Sequence, residues 1–232
     1  MFIVEGNIGV GKSTFLSGLA SLNPGIEVVP EPKDDWTRPV AGESLLDNFY
    51  QNPRRWAYTM ETLALMRRST DYAHYKTSSA QHIQVLERSM YSGHYCFAQN
   101  GWDEGYFSTL EWHLYNEWAH FLFSRCPQPT GFIYLQADPD VCFARIQKRN
   151  RTSESSLSRA YVEKIHAYHN HFLIEKKNVH TSIARIPVLV LDCNEEFATK
   201  TSLSNSHQEA ILEFFAATKN SEKSFDLSAD FI

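Results

Sequence analysis

The first fourteen residues constrain the fold of this chain more than any other stretch. Phe2–Glu5 is a short, mostly apolar run that predicts a buried strand, and Phe15, Leu16 and Leu19 then recur at helical spacing. The intervening stretch, Gly6–Ser13, fits G-x-x-x-x-G-K-[ST] in the strand–loop–helix context that this pattern requires. Its glycines let the backbone wrap closely around a phosphate, and the helix N-terminus then points at the anion. The predicted phosphate-binding residues are Gly6, Asn7, Ile8, Gly9, Val10, Gly11, Lys12, Ser13 and Thr14.

Two side chains of this loop carry predicted chemistry. Lys12 is expected on the β- and γ-phosphates of ATP, and the Ser13 hydroxyl on Mg²⁺. The alternative is a glycine-rich turn that binds no ligand. The complete motif in its required context argues against that alternative.

Further apolar runs alternate with helical patterns along the chain. Strands are predicted at 2–5, 26–30, 82–86, 131–135 and 186–191. Helices are predicted at 45–50, 53–75, 93–100, 104–125, 139–149, from about 158 to 178, and at 206–218. This alternation predicts an α/β fold with a five-stranded parallel sheet covered by helices on both faces. We predict one domain over residues 1–218, with a mobile lid at about 145–158, and a frayed tail at 219–232.

The composition excludes several classes of protein. A net charge of −5 argues against a surface that coats nucleic acid, and no run approaches eighteen apolar residues, so no membrane span is predicted. The first strand begins at residue 2, which leaves no room for a leader peptide on this chain. The four cysteines are far apart and form no C-x-x-C pair. These features predict a cytoplasmic protein with no nucleic-acid or membrane partner.

Charged residues follow two of the predicted strands, where a parallel sheet binds its ligands. Glu31 ends the second strand before Pro32, and its carboxylate suits a base that takes a proton from a hydroxyl attacking the γ-phosphate. The alternative is a loop carboxylate in water. Glu87 and Arg88 end the third strand, where Glu87 suits Mg²⁺ and Arg88 suits a phosphate or the orientation of Glu31. A solvent-facing ion pair between these two residues is the less favoured alternative, because the strand is otherwise apolar.

A basic cluster marks the end of one predicted helix. It consists of Arg145, Lys148, Arg149 and Arg151, and a serine-rich segment follows it. Closure of this segment as a lid would bring cations onto a phosphoryl group in transfer. The alternative is a solvated basic helix terminus favoured by the helix dipole.

The long helix carries a polar stripe beside its apolar one. Glu61, Ala64 and Arg68 lie at i, i+3 and i+7, so they share one face. Such a stripe suits the reading of a base edge. It equally suits an outward face with a weak ion pair.

The ordered set of motifs resembles one family. It comprises G-N-I-G-V-G-K-S-T, E-P with a tryptophan five residues after the acid, N-F-Y, P-R-R-W, E-R-S-M-Y-S, I-Y-L-Q-A, R-I-Q-K-R-N-R and L-D-C-N-E. The chain is similar, from residue 1 to about 200, to the deoxynucleoside kinases, the group of deoxycytidine kinase, mitochondrial thymidine kinase and the insect multisubstrate enzyme. Many NTPases share the first motif alone, whereas the ordered set is highly specific.

The resemblance implies the P-loop NTPase fold, a reaction and a set of residue roles. The implied reaction transfers the γ-phosphate of ATP, with Mg²⁺, to the 5′-hydroxyl of a deoxynucleoside, usually in a homodimer. The implied catalytic residues are Glu31, Arg88 and Lys12, and the implied metal residues are Ser13 and Glu87. The implied nucleoside contacts are Glu31, Trp36, Tyr50, Met60, Glu61, Ala64, Arg68, Arg88, Gly93, Phe97 and Glu154, with Tyr50 and Glu154 on the 3′-hydroxyl and Phe97 stacked on the base. The implied ATP contacts outside the loop are Arg145, Arg149, Arg151 and Phe197.

Two positions depart from the family pattern and bear on base choice. The family commonly has glutamine at Glu61, and deoxycytidine kinase has aspartate at Gly93. An ionised carboxylate only accepts hydrogen bonds, which suits the ring N–H of thymine or uracil, and glycine leaves room for the thymine methyl. We therefore predict that thymidine and deoxyuridine are preferred to deoxycytidine, with deoxyguanosine as a further candidate. In the alternative, Glu61 pairs with Arg68 and touches no base, and deoxycytidine is favoured.

Two other functions are weighed against this kinase activity. A nucleoside monophosphate kinase such as thymidylate kinase has the same fold, but Glu31 would repel the phosphate of its acceptor. A nucleotide-binding protein without turnover is disfavoured because Lys12, Glu31, Glu87 and Arg88 are all intact.

Overall fold

A computed structural model describes the protein over residues 1–32, 37–75, 82–151, 154, 156–195 and 203–226. Five strands form one sheet in the order β2-β3-β1-β4-β5, and every neighbouring pair is parallel. The strands are β1 (Phe2–Gly6), β2 (Ile26–Val29), β3 (Ile83–Glu87), β4 (Gly131–Gln136) and β5 (Val188–Asp192). Because β1 is central and β3 and β2 follow on one side, the loops after these three strands meet at one edge of the sheet.

Helices connect the strands. They are α1 (Lys12–Leu22), α2 (Leu45–Gln51), α3 (Pro53–Tyr75), α4 (Met90–Ser92), α5 (Gln99–Asp103), α6 (Thr109–Arg125), α7 (Pro139–Arg149), α8 (Arg159–Leu173), α9 (Thr181–Ala184) and α10 (Asn205–Asp226), with a π-helix at Gly93–Ala98 between α4 and α5. Ser108 and Glu111 form a capping box at the start of α6, which satisfies two of the N–H groups that a helix leaves open.

The central strands β1 and β4 are buried on both faces, as their apolar sequences predict, whereas β5 at the edge leaves Val190 exposed. On one face, Tyr72 of α3, Tyr115 of α6 and Phe172 of α8 pack in one core cluster. On the other, Phe15 of α1 and Ile146 of α7 pack in a second cluster, which also contains side chains of α10. The predicted α/β fold with a five-stranded parallel sheet is confirmed.

Several predicted boundaries differ from the structure. The helix α8 ends at Leu173 rather than near 178, because Lys176 and Asn178 take positive φ values that no α-helix can contain. The strand β5 begins at Val188, directly after Pro187, which has no N–H to donate to a sheet. The last helix continues to Asp226, so the tail predicted from residue 219 starts too early. The apolar periodicity that guided this prediction ends near Thr218, and helical backbone continues beyond it.

The region predicted as two helices at 93–100 and 104–125 is divided differently. A π-helix occupies Gly93–Ala98, α5 ends at Asp103, and α6 starts only at Thr109. Gly105 has φ of +68°, a left-handed conformation that ends the helical segment formed by the π-helix and α5. In the described part of the chain, no helix is long and apolar enough to cross a membrane.

Candidate active site

A cavity of about 830 Å³ lies beyond the carboxyl ends of β1, β2 and β3. Its size is in the range of small-molecule sites. It brings together most of the residues predicted for the site, although they lie far apart in the sequence. Those that line it are Ile8, Gly9, Gly11, Lys12, Ser13, Thr14, Glu31, Tyr50, Met60, Glu61, Ala64, Arg68, Glu87, Arg88, Phe97, Arg149, Arg151 and Glu154.

The loop after β1 needs its glycines. Gly9 has φ of +81°, and a Cβ atom there would lie 2.3 Å from the carbonyl oxygen of Cys142. Gly11 forms the N-cap of α1 with φ of +107° and brings no side chain between the helix N-terminus and the cavity. Asn7 fixes the loop from behind, since its Nδ2 donates to the carbonyl of Val162 at 2.8 Å. The result is a rigid backbone cradle at a helix N-terminus, which is suited to phosphate.

The lysine and serine of the loop both line the cavity. Lys12 Nζ donates to the carbonyl oxygens of Gly6 at 3.0 Å and Asn7 at 2.9 Å. Ser13 Oγ lies 3.1 and 3.2 Å from the two carboxylate oxygens of Glu87. A hydroxyl and a carboxylate in contact form an oxygen donor set of the kind that Mg²⁺ prefers. These two residues therefore fit the predicted metal.

Glu31 is held by two arginines at the acceptor side of the cavity. Its Oε1 lies 2.7 Å from Arg68 Nη2 and 3.3 Å from Arg88 Nε. Burial alone raises the pKa of the Glu31 carboxyl. The positive charges of Arg88, Arg68 and Lys12 outweigh this effect and lower the pKa to about 2. The alternative of a loop carboxylate in water is therefore wrong.

Arg88 is buried as well, at 5% exposure, and its Nη2 donates to the carbonyl of Gly6 at 3.3 Å. Its backbone has φ of +67°, which is uncommon for a residue with a side chain. Glu87 is equally buried and contacts Ser13, so the alternative of a solvent-facing Glu87–Arg88 pair is wrong.

Glu61 differs from Glu31 in its surroundings. It is 7% exposed, and no described group hydrogen-bonds its carboxylate. Burial raises the pKa of Glu61 to about 7, although Arg68 and Arg88 act in the opposite direction. The ion pair of Arg68 goes to Glu31, so the predicted alternative of a Glu61–Arg68 pair is not found. At neutral pH this carboxyl group is therefore divided between a protonated form, which can donate a hydrogen bond, and an ionised form, which can only accept one.

Aromatic and apolar side chains form the walls of the acceptor side. Phe97 lies on the π-helix segment, and the guanidinium of Arg88 covers its ring at 4.6 Å from the centroid. Met60 and Ala64 face the cavity from α3, together with the polar residues of the same helix. A flat ring opposed by small apolar groups suits a planar ligand.

Residues of the segment predicted as a lid line the cavity and contact one another. Arg149 Nη2 lies 2.5 Å from Glu154 Oε2, and Arg151 Nη1 lies 3.6 Å from Glu154 Oε1. Burial raises the pKa of the Tyr50 hydroxyl, and the negative charge of Glu154 raises it further. The two residues predicted for a sugar hydroxyl are therefore neighbours.

Arg145 does not line the cavity, in contrast to its predicted contact with ATP. Its guanidinium donates to the carbonyl oxygens of Val10, Cys193, Asn194 and Glu195. Arginine has five N–H donors in a fixed fork, and here backbone carbonyls use them. Arg145 thus ties the phosphate-binding loop to the segment after β5. Two other predicted contacts, Trp36 and Phe197, lie outside the described residues.

Two features of the site were not predicted from the sequence. The buried carboxylate of Glu5 accepts a short hydrogen bond from Ser89 Oγ, and this contact supports the turn that carries Glu87 and Arg88. A Cβ atom at Gly93 would lie 2.7 Å from Arg68 Nη1, so the arginine fills the space beside this glycine. For the contact between Glu5 and Ser89, the E-R-S motif was the only indication in the sequence. Nothing in the sequence predicted the approach of Arg68 to Gly93.

A glycine-rich cradle at the end of a central parallel strand, with Ser13 and Glu87 in contact beside it, defines a P-loop phosphotransferase. A model of the family described as deoxynucleoside kinase matches residues 2–216. The chain therefore belongs to the deoxynucleoside kinase family, and the predicted class of ATP-dependent phosphotransferase is confirmed.

Curated relatives agree with this family. The chain is 34% identical over 235 residues to the mitochondrial deoxyguanosine kinase of Xenopus laevis, covering 92% of this chain and 88% of the relative. It is 35% identical over 217 residues to deoxycytidine kinase 2 of Gallus gallus, covering 84% and 82%. It is 33% identical over 220 residues to deoxycytidine kinase of Homo sapiens, covering 85% of each. These names do not confirm the predicted preference for thymidine, and a mitochondrial relative leaves the cytoplasmic location a prediction.

Proposed function

We propose that this chain phosphorylates the 5′-hydroxyl of deoxycytidine or deoxyguanosine in preference to thymidine. The names of the similar proteins, which are deoxycytidine and deoxyguanosine kinases, support this choice of acceptor. The preference for deoxycytidine, which was the alternative in the sequence analysis, thus enters the main proposal together with deoxyguanosine, but without the Glu61–Arg68 pair on which that alternative depended.

One observation carries the argument against thymidine. The prediction assumed that Gly93 leaves room for the thymine methyl group. The guanidinium of Arg68 lies within 2.7 Å of the position that a Cβ atom would take at Gly93. That space is therefore occupied by a cation, and a methyl group placed there would clash with it without offering it a hydrogen-bond acceptor.

The state of Glu61 removes the objection to deoxycytidine that an ionised carboxylate would raise. The prediction also assumed an ionised carboxylate, whereas burial raises the pKa of Glu61 to about 7. A protonated Glu61 donates to the ring N3 of cytosine and accepts from its amino group. An ionised Glu61 accepts from the N1–H and amino groups of guanine. Both bases thus find a complementary form of this side chain near neutral pH.

Phosphoryl transfer in this proposal uses Glu31 as the base. The 5′-oxygen of the nucleoside attacks the γ-phosphorus of ATP, Glu31 accepts the hydroxyl proton, and the bond to the β-phosphate oxygen breaks to release ADP. Lys12 and Arg149 stabilise the charge that spreads over the phosphoryl oxygens. Arg88 holds Glu31 in place at 3.3 Å.

The remaining roles follow from position in the cavity. Ser13 and Glu87 would hold Mg²⁺, which supplies charge neutralisation of the phosphates when bound. Tyr50 and Glu154 would contact the 3′-hydroxyl, and Phe97 would stack on the base.

The test is a set of initial rates with ATP and each of the four natural deoxynucleosides, together with thymidine monophosphate as a fifth acceptor. We expect deoxycytidine or deoxyguanosine to have the highest kcat/KM. A highest value for thymidine would overturn the proposed preference, and turnover confined to thymidine monophosphate would instead indicate a nucleoside monophosphate kinase.

We also propose that the chain forms a homodimer. Leu110, Leu114, Trp118 and Phe121 are exposed, and their spacing places them along one side of α6. A row of large apolar side chains in water is typical of an interaction surface. Trp118→Lys should convert a dimer into a monomer in sedimentation velocity, and a wild-type chain that sediments as a monomer would contradict the proposal.

A further inference from the structure

Arg68 contacts the proposed catalytic base from the side where the nucleobase would bind. It reaches Glu31 from the middle of α3, with Nη2 to Oε1 at 2.7 Å. Both side chains are only 9% exposed, so the pair is shielded from bulk water. A charge-assisted hydrogen bond of this length in a buried place is strong.

Arg68 also lines the cavity, on the side that the proposed function assigns to the base. Its Nη1 lies 2.7 Å from the Cβ position at Gly93, and Arg68 shares its helix face with Glu61 and Ala64. Gly93 has φ of −52° and ψ of −50°, which any residue adopts. The backbone therefore does not require glycine at this position. The approach of Arg68 does, because a side chain there would push the guanidinium away.

The contact with Arg68 makes Glu31 a weaker base for proton transfer. Arg68, with Arg88 and Lys12, lowers the pKa of Glu31 to about 2 despite burial. A carboxylate with so low a pKa is a weak proton acceptor, and the efficiency of general base catalysis rises with basicity. Withdrawal of one cation from Glu31 would make it a better base.

We propose that Arg68 is shared between Glu31 and the nucleobase, so that binding of a base draws Arg68 away from Glu31 and activates it. Arginine only donates hydrogen bonds, so the base must offer an acceptor, such as a carbonyl oxygen or a ring nitrogen. Recognition of the base then raises kcat and not only affinity. This inference rests on the proposed function, in which Glu31 takes the proton of the 5′-hydroxyl.

Other charged groups around Glu31 stay in place during this exchange. Arg88 comes from the end of β3 and Lys12 from the phosphate-binding loop. The charge of Glu31 in turn raises the pKa values of Glu61 on α3 and Tyr50 on α2. Arg88 also contacts both Glu31 and Phe97, but its Nη2 donates to the carbonyl of Gly6. Arg68 has the shorter contact with Glu31 and shares its helix face with Glu61 and Ala64, which makes it the positioning residue.

The test replaces Arg68 by methionine and compares it with Arg67→Met, a change at the exposed neighbour on the same helix. The acid limb of kcat/KM against pH reports the free enzyme's base. An arginine beside a carboxylate lowers its pKa by about 1 to 3 units, so the midpoint should rise by about that much in Arg68→Met. Arg67→Met should leave it unchanged.

A substrate without a base supplies a second readout. The probe is 1,2-dideoxyribose, the sugar with hydrogen in place of the base. In the wild type, kcat for this probe should fall far below kcat for deoxycytidine. In Arg68→Met this gap in kcat should narrow by roughly tenfold, because Glu31 no longer needs release, while the gap in KM remains. A merely structural role for Arg68 would lower kcat for both substrates alike.

Gly93→Asp covers the case in which Arg68→Met does not fold. It keeps the arginine and offers it a second carboxylate beside Nη1, so the acid limb should again move upward. An unchanged acid limb in the variants that fold would overturn the inference. Glu31→Gln separates this from the proposed function, since full kcat in that variant removes Glu31 as the base and takes the proposed function with it.

Discussion

The phosphate end of the cavity, at the loop after β1, is formed mainly by backbone. The acceptor end, around Glu31 and Glu61, is formed by charged side chains. At the phosphate end, the cradle is backbone, and its side chains Asn7 and Arg145 make hydrogen bonds to carbonyl oxygens of other segments. At the acceptor end, Glu31, Glu61, Arg68 and Arg88 come from three separate elements and are buried together. Backbone geometry is insensitive to protonation, whereas a buried group of carboxylates and arginines changes with every proton and every ligand.

The two carboxylates at the acceptor end show how far the surroundings decide chemistry. Burial acts to raise the pKa of Glu31, but nearby cations lower it to about 2. Burial raises the pKa of Glu61 to about 7. Both residues line one cavity and have the same side chain. Glu31 is thus ionised at neutral pH, and Glu61 is divided between its two forms.

The largest effect expected at the acceptor end comes from Glu31→Gln. The amide has the same shape but takes no proton, so kcat should fall about 10²- to 10⁴-fold, while the nucleoside still binds. Single-turnover rates with deoxycytidine and ATP measure this loss. Wild-type kcat in the variant would remove Glu31 from the mechanism.

The corresponding change at the phosphate end is Lys12→Ala. A lysine that acts mainly on transition-state charge should lower kcat by about 10²- to 10³-fold and change the KM for ATP much less. Steady-state kinetics with varied ATP give both constants. An effect confined to KM would mean that Lys12 only binds ground-state ATP.

The phosphate end was predictable from the sequence, and the acceptor end only in part. Gly6–Ser13 is a contiguous motif whose geometry follows from its own residues, and the structure places it after β1 as predicted. The stripe of Glu61, Ala64 and Arg68 was also predicted from helical spacing, but its charge pattern was not. Arg68 pairs with Glu31, thirty-seven positions away in the sequence. Helical periodicity does not predict a contact between such distant residues. It also does not predict the burial that raises the pKa of Glu61.

A smaller effect should distinguish Glu61 from Glu31 in stability. The pKa of Glu61 is raised from 4.5 to about 7 in the folded chain, so the folded state keeps a proton that the unfolded state has lost. The contribution of Glu61 to wild-type stability should therefore fall as pH rises from 4.5 to about 7. Glutamine has no proton to lose in this pH range. The free energy of unfolding of Glu61→Gln relative to wild type should therefore rise across the range by up to roughly 3 kcal/mol, at about 1.36 kcal/mol per pKa unit.

Urea unfolding of both proteins at pH 5 and pH 8 measures the difference. Glu213→Gln, at an exposed position of α10, serves as the matched control and should show no such trend. Equal stability differences at the two pH values would mean that Glu61 stays ionised in the folded protein.

The smallest effect is expected from Asn7→Ala at the phosphate end. Asn7 Nδ2 donates to the carbonyl of Val162 in α8, and its Oδ1 accepts from the N–H of Ile8, each at 2.8 Å. Loss of these bonds should lower the free energy of unfolding by about 1 kcal/mol per bond and Tm by a few degrees. Since the cradle itself is backbone, kcat with saturating ATP should stay within about threefold of wild type. Asn7→Asp is the informative partner: it keeps the size but places a negative charge behind the loop, so it should raise the KM for ATP. If Asn7→Ala instead abolished turnover while remaining folded, the loop would depend on this side chain, and the contrast between a rigid phosphate end and a responsive acceptor end would fail.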